Sequence, residues 1–358
     1  MTDTLAKPAE ILYAAELEAL EAHDKLEKPH GWRLSPAAAL KFIMGGSAEG
    51  TVITPKYIGD RRLVELAVAT LLTDRALILL GEPGTAKSRL SECLAAAVSG
   101  DSGLLIQGTA GTGEEQVRYG WNYALLISNG PTPDAIIKSP LTRAMEMGAI
   151  VRFEELTRCT PEVQDSLISI LSERSMAVPE LGISIPARRG FALIATANLR
   201  DRGVFAMSSA LQRRFNAVVL PQPPDLETEI DIVSRRVAEL SAETRGFRTD
   251  LDAVGRVVRI FRELREGNTL EGTQKLRSPE GVLSVADEIS ALISGLALSS
   301  AFRDGGLADG DLALGLQGVL IKDNESDRST WVEYIENVMK RRGAEWNGLY
   351  EACRELNP

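Results

Sequence analysis

The stretch that most constrains this chain is Gly81-Glu82-Pro83-Gly84-Thr85-Ala86-Lys87-Ser88. It follows a short apolar run over residues 76–80 and leads into Arg89-Leu90-Ser91-Glu92-Cys93-Leu94-Ala95, which reads as helix. Strand, glycine-bearing loop, Lys-Ser and helix in that order form a phosphate-binding loop. Gly81 and Gly84 let the backbone bend so that its N–H groups converge on phosphate oxygens. The helix that opens at the loop favours an anion at its N-terminus. Lys87 is placed to reach the β- and γ-phosphates, and the Ser88 hydroxyl to complete a Mg²⁺ site. Ala86 stands where the pattern G-x-x-x-x-G-K-[ST] has its second glycine. Helical φ/ψ at that position is expected to tolerate the extra methyl.

The chain has 358 residues, which suggests two or three domains. Its formal net charge of −10 speaks against broad nonspecific nucleic-acid binding. No uninterrupted apolar stretch long enough to span a bilayer is seen, and the N-terminus lacks the regions of a signal peptide. Cys93, Cys159 and Cys353 are few and unclustered, which argues for a reducing, cytoplasmic setting and against a zinc site. With His23 and His30 as the chain's 2 histidines, histidine-based metal chemistry is not expected.

Residues 1–30 read as one polar, marginal helix. Ser35-Pro36 supplies an N-cap and first helical position for a helix through Met44. Residues 45–50 read as a flexible break, and residues 61–72 as an apolar helix. Further apolar runs at 104–106, 149–153, 191–196 and 217–220, mostly separated by helical segments, indicate a parallel sheet covered on both faces. Thr160 and Pro161 start a helix with Val163, Leu167, Ile170 and Leu171 on one face. After Pro221-Gln222-Pro223-Pro224 no strong strand signal follows. Leu251, Val254, Val258 and Phe261 share a helical face, and Ser278-Pro279 is expected to start another helix. The expected division is a helical extension over 1–54, an α/β nucleotide-binding domain over 55–223, and a helical lid with C-terminal helices over 224–358.

Glu154 and Glu155 end the run at 149–153, at the sheet edge where ligands of open α/β sheets bind. One carboxylate can hold Mg²⁺ through water, and the other can polarise an attacking water. Asn198 closes the next strand, where an amide can reach both the γ-phosphate and the water. Arg213 and Arg214 stand at a helix end beginning near Met207. They are either a solvated cap or a pair able to reach a neighbouring subunit's nucleotide.

These four motifs, in this order and spacing, resemble the MoxR-like AAA+ ATPases, within the helix-2-insert group that includes the magnesium chelatase ATPase subunit and dynein-related domains. The resemblance covers roughly residues 55–300. It implies a P-loop NTPase fold with a central parallel five-stranded sheet and an all-helical lid. It makes Lys87 and Ser88 the Walker A pair, Glu154 and Glu155 the Walker B metal and catalytic acids, and Asn198 sensor 1. Arg214 falls at the arginine-finger position, and Arg158 matches a further arginine able to act in trans. Ile58 and Gly59 match the segment backing adenine. Gly81, Pro83, Gly84, Thr85 and Ala86 line the phosphates. Residues 121–138 fall where the helix-2 insert projects into the ring pore, and residues 175–186 form the hairpin before sensor 1. Glu154 and Thr157 replace the usual Asp and Asn. Ser278-Pro279-Glu280 stands at the lid's Ser-Pro-Arg motif, so the sensor 2 arginine is missing there, with Arg277 as a nearby substitute.

What the resemblance implies is ATP hydrolysis with Mg²⁺ in a cytoplasmic homo-hexameric ring with a chaperone-like remodelling role, often beside a partner carrying a von Willebrand factor A domain. Two other readings stand beside it. One is a nucleic-acid motor or loader on the same core, disfavoured by the acidic composition. The other is an ATP-gated scaffold with little turnover, suggested by Glu154, Ala86 and the sensor 2 departure.

Overall fold

A computed structural model describes residues 7–198, 204–241, 250–272, 274–279, 283–303, 306–321 and 325–357. It forms two compact units: one of residues up to Glu82 together with Ala86–Leu220, the other of Pro83–Thr85 and the chain from Pro221 onward.

In the first unit the single helix expected over residues 1–30 is two helices, α1 (Ala9–Leu12) and α2 (Ala14–His23). They are broken at Tyr13, whose φ of −111° and ψ of 28° leave the helical region. They dock rather than fray. Leu17 and Leu20 are buried, and Tyr13 meets Phe42 edge-on at 5.9 Å between ring centroids. The Lys56 ammonium sits over both rings, 4.2 Å and 4.4 Å from their centres, and is paired with Glu16. Helix α3 (Pro36–Met44) starts as expected, with the Ser35 hydroxyl accepting from the Ala38 N–H at 3.2 Å. The expected flexible break at residues 45–50 is instead part of a hairpin of β1 (Gly46–Ala48) and β2 (Thr51–Ile53). Gly50, with φ of 89°, supplies the left-handed residue that its turn needs.

Helix α4 (Arg61–Thr70) is capped by Asp60 and leads into β3 (Ala76–Gly81), from which the phosphate loop runs into α5 (Lys87–Ser99). Next come β4 (Leu105–Gln107) and the short α6 (Glu114–Val117). An antiparallel pair, β5 (Tyr119–Trp121) and β6 (Ile136–Lys138), encloses α7 (Tyr123–Asn129) where the insert was expected. After α8 (Pro140–Met147) come β7 (Ile150–Glu154) and α9 (Pro161–Glu173). Thr160 occupies the N-cap of α9, but its side chain does not make the cap hydrogen bond. The hairpin expected before sensor 1 is present as β8 (Ser175–Val178) and β9 (Ile183–Pro186). Then follow β10 (Ala192–Asn198), α10 (Ser209–Gln212), shorter than expected, and β11 (Phe215–Leu220).

The central sheet has five parallel strands in the order β11-β3-β10-β7-β4. Alternation along each strand feeds two cores. Leu77, Leu79, Ile194 and Val218 pack with α2 to α5 on one face. Ile78, Val151, Phe153 and Leu193 pack with α8 and α9 on the other. Burial on both faces is why these strands read as unbroken apolar runs.

The second unit is helical: α11 (Leu226–Ser241), α12 (Leu251–Glu266), α13 (Val285–Phe302), α14 (Asp309–Leu320), α15 (Glu325–Asn337) and α16 (Asn347–Leu356). The helix expected from Ser278-Pro279 starts later, at Val285. There the Ser284 hydroxyl and the Asp287 carboxylate bond each other's backbone N–H in a capping box. Glu280 lies outside the described residues. By length and composition α13 could cross a membrane, although Asp287 and Glu288 interrupt its apolar run. Its Ala291, Leu292 and Leu296 are buried in the core of this unit. Inside the same unit, the wholly buried Glu263 accepts from the Tyr334 hydroxyl at 2.6 Å and from Arg342 at 2.5 Å.

Candidate active site

Register brings the sequence-predicted residues to one edge. Asn198, the last residue of β10, pairs with Gly81, the last of β3. Gln107 at the end of β4 pairs with Glu154 at the end of β7. The carboxyl ends of neighbouring strands therefore carry the loop, the two acids and the amide. Gly108 follows β4 so closely that a Cβ there would lie 2.4 Å from the Glu155 carbonyl oxygen and 2.9 Å from that of Glu154. Any side chain at Gly108 would push the acids out of place.

The loop turns through Gly84 at φ 81° and Ala86 at φ 63° and ψ 21°. Ala86 is therefore not in right-handed helical geometry, as the sequence suggested, but in the left-handed region that favours glycine. For an L-residue this costs roughly 1–2 kcal/mol. Lys87 is buried, and its ammonium donates to the carbonyls of Gly81 at 3.1 Å and Glu82 at 2.7 Å. Burial pulls its pKa down to about 8, against the opposing charges of Glu154, Glu155 and Glu82. A phosphate arriving at the loop would restore the charge that burial disfavours.

The Ser88 hydroxyl donates to Glu154 Oε2 at 2.7 Å, which joins the serine of the loop to the first of the two acids. Oε2 also accepts from Thr196 Oγ1 at 2.7 Å. Oε1 accepts from Ser91 Oγ at 2.5 Å and from Arg152 Nη2 at 2.9 Å. Burial alone would raise the Glu154 pKa. The Ser91 and Thr196 hydrogen bonds, the Arg152 charge and the Ser88 hydroxyl together hold it below the usual value. Thr196 also accepts from the Glu155 N–H at 3.0 Å, so one hydroxyl links both acids. Glu155 itself has φ of 54° and ψ of 43°, a left-handed conformation at the strand's exit.

Ser91, Arg152, Thr196 and Gly108 carry no role in the sequence reading. Two of them had signals. Ser91 is one helical turn from Ser88, and Arg152 shares a strand face with Glu154.

Two of the three arginines expected as trans-acting cations, Arg158 and Arg214, make contacts within their own chain. Arg158 Nε lies 2.8 Å from Oε2 of its own Glu155. Arg214 donates from Nε to Ser172 Oγ at 2.9 Å and from Nη1 to the Ala210 carbonyl at 2.5 Å, both within its own chain. Arg213 is exposed. Ile58 is half-buried and Gly59 exposed, with Tyr57 so close that a Cβ on Gly59 would meet its hydroxyl at 2.7 Å. Arg277 belongs to the second unit, exposed, 3.9 Å from Glu333.

Comparison with known proteins places this geometry. The chain is 43% identical to YehL of Escherichia coli (strain K12) over 356 residues, covering 98% of this chain and 97% of that protein. It is 26% identical over 230 residues to the gas vesicle ATPase GvpN of Haloferax mediterranei, covering 60% of this chain and 63% of that protein. Among solved structures, NtrX from Brucella abortus in complex with ADP aligns with a TM-score of 0.45 at 14% identity. That alignment covers 70% of this chain and 52%, about half, of the other. Residues 76–215, which hold the loop, both acids, Asn198 and Arg214, match an AAA domain of the dynein-related subfamily. Residues 227–357 match the C-terminal domain of YehL-like AAA+ ATPases. The identity over nearly the whole of both chains, together with a five-stranded parallel sheet in the first matched part and helices in the second, makes this chain a member of the YehL-like AAA+ ATPases.

Proposed function

We propose that this chain binds ATP with Mg²⁺ and hydrolyses it to ADP and phosphate, acting as a MoxR-like ring that remodels a partner protein. The observation that carries the reading is the 2.7 Å hydrogen bond from Ser88 to Glu154 across the end of the sheet. A hydroxyl and a carboxylate at hydrogen-bond distance are the hard oxygen donors that suit Mg²⁺ bound mainly by phosphates and water. When bound, the ion would neutralise charge developing on the phosphates. Lys87 holds the β- and γ-phosphates with a charge that burial otherwise disfavours. Glu155, leaving β7 next to Glu154, takes the proton of the attacking water, and Asn198 at the adjacent strand end orients that water.

The finer reading is a cytoplasmic homo-hexamer with Arg214 offered to the neighbouring subunit and a client or von Willebrand factor A domain protein as partner. The three free cysteines are all buried, which is compatible with a reducing compartment. A second reading, an ATP-gated scaffold with little turnover, draws on the ion pair of Arg158 with Glu155 and on the bonds Arg214 makes within its own chain. Phosphate release from ATP by the parent and by Glu155→Gln separates the two. Turnover in the parent that the variant loses supports the enzyme, and a parent that binds ATP without turnover supports the scaffold.

A further inference from the structure

Arg152 is an unusual occupant of a central strand. Its neighbours Val151 and Phe153 are fully buried, and Arg152 itself is only 8% exposed. All three of its guanidinium nitrogens are engaged. Nε donates to Ser91 Oγ at 3.1 Å, and Nη1 to the Ser102 carbonyl at 3.1 Å. Nη2 donates to the Ser88 carbonyl at 3.2 Å and to Glu154 Oε1 at 2.9 Å. The planar fork thus ties β7 to the first turn of the Walker A helix, a geometry a lysine's single ammonium cannot reproduce.

The consequence falls on Glu154. A carboxylate offers about four lone-pair sites. Here Ser91 and Arg152 fill those of Oε1, while Ser88 and Thr196 fill those of Oε2. The side chain is one methylene longer than aspartate, and Arg152 holds Oε1 back against α5. The charge of the carboxylate is offset by the guanidinium beside it.

We propose that Arg152 is a positioning residue that keeps Glu154 from ligating the metal directly, so that the ion arrives with the nucleotide and meets Glu154 through water. The inference rests on the Mg²⁺–ATP reading of this site. Its rival is an arginine that only satisfies buried carbonyls and contributes to folding.

The test is the Mg²⁺ dependence of nucleotide affinity, followed with fluorescent ADP, in the parent, Arg152→Met and Arg152→Lys. Arg152→Met frees one of the two sites on Oε1, Ser91 keeping the other, and leaves one uncompensated negative charge near the ion. The Mg²⁺ concentration giving half of the maximal affinity should therefore fall about ten-fold. Arg152→Lys keeps the charge and loses the fork, so its shift should be in the same direction and smaller, about two- to three-fold. A folded Arg152→Met protein whose half-effective Mg²⁺ concentration is unchanged or raised, even with a lowered melting temperature, overturns the proposal. If Arg152→Met does not fold, Arg152→Lys decides by the same criterion. A parent whose nucleotide affinity ignores Mg²⁺ altogether refutes the Mg²⁺–ATP reading, and this proposal with it. A Mg²⁺-dependent parent with unshifted variants refutes only the role of Arg152.

Discussion

Nucleotide affinity should fall as pH rises through 8, and Lys87 is the reason. Burial brings the Lys87 pKa in the free protein down to about 8. Bound β- and γ-phosphates favour the charged form, so the pKa in the complex lies above that of the free protein. The sign follows from linkage. Below pH 8 the ammonium is already protonated and binding takes up no proton. Above it, binding must protonate Lys87, and the observed affinity drops until the pH reaches the pKa of the complex. For a free-state pKa near 8, the loss between pH 7 and pH 9 is about ten-fold. The buried thiols of Cys93 and Cys353, both pushed up to about 12, stay protonated across this window. Fluorescent-nucleotide titrations at constant ionic strength and saturating Mg²⁺ would measure the effect. Lys87→Arg, which does not titrate there, should bind more weakly and with little pH dependence over the same range. An affinity flat from pH 7 to pH 9 in the parent, or an equal slope in Lys87→Arg, would refute the assignment of this proton to Lys87.

The left-handed Ala86 predicts that Ala86→Gly stabilises the protein. Relief of roughly 1–2 kcal/mol, less about 0.4–1 kcal/mol for the freer unfolded chain, leaves about 0.5–1 kcal/mol. Calorimetry should show a melting temperature higher by about 1–4 °C; a lower one contradicts the strain. If Arg214 acts on the neighbouring subunit, Arg214→Ala keeps ATP binding and loses about 10³–10⁵ in rate. Mixing it with Lys87→Ala then restores part of the activity. If Arg214 only holds Ser172 and Ala210, Arg214→Ala hydrolyses ATP nearly normally.

The sheet was legible because its strands are buried on both faces, so that residues 76–80 and 149–153 stand out as apolar runs between helices. The phosphate loop and the two acids were legible for the same local reason, each being a short motif at a strand end. The network around Glu154 was not. Ser91 and Thr196 reach it from 63 and 42 residues away, Thr196 through strand register and Ser91 through the packing of α5 on β7, neither of which local pattern shows. Glycine was misread once. The run at residues 45–50 suggested flexibility, whereas its positive φ angles belong to a hairpin. Serine was misread once as well. Ser35-Pro36 and Ser278-Pro279 carry the same start signal; Ser35 caps α3, whereas α13 is capped by Ser284 and Asp287. Ala86 was misread although a signal was present: it stands at the pattern's second glycine, and its backbone is in the left-handed region that favours glycine. The bonds that Arg214 makes to Ser172 and Ala210 depend on packing between α9 and α10 that the motif alone does not describe.

The most direct test of the central claim is phosphate release from ATP by the parent and Glu155→Gln, with nucleotide binding measured on the same samples. The amide keeps the shape of the side chain but cannot take a proton from water. The account predicts Mg²⁺-dependent turnover in the parent and a loss of about 10²–10⁴ in the variant, with ATP affinity retained. Equal turnover in the two proteins would contradict it, and would move the general base away from the end of β7.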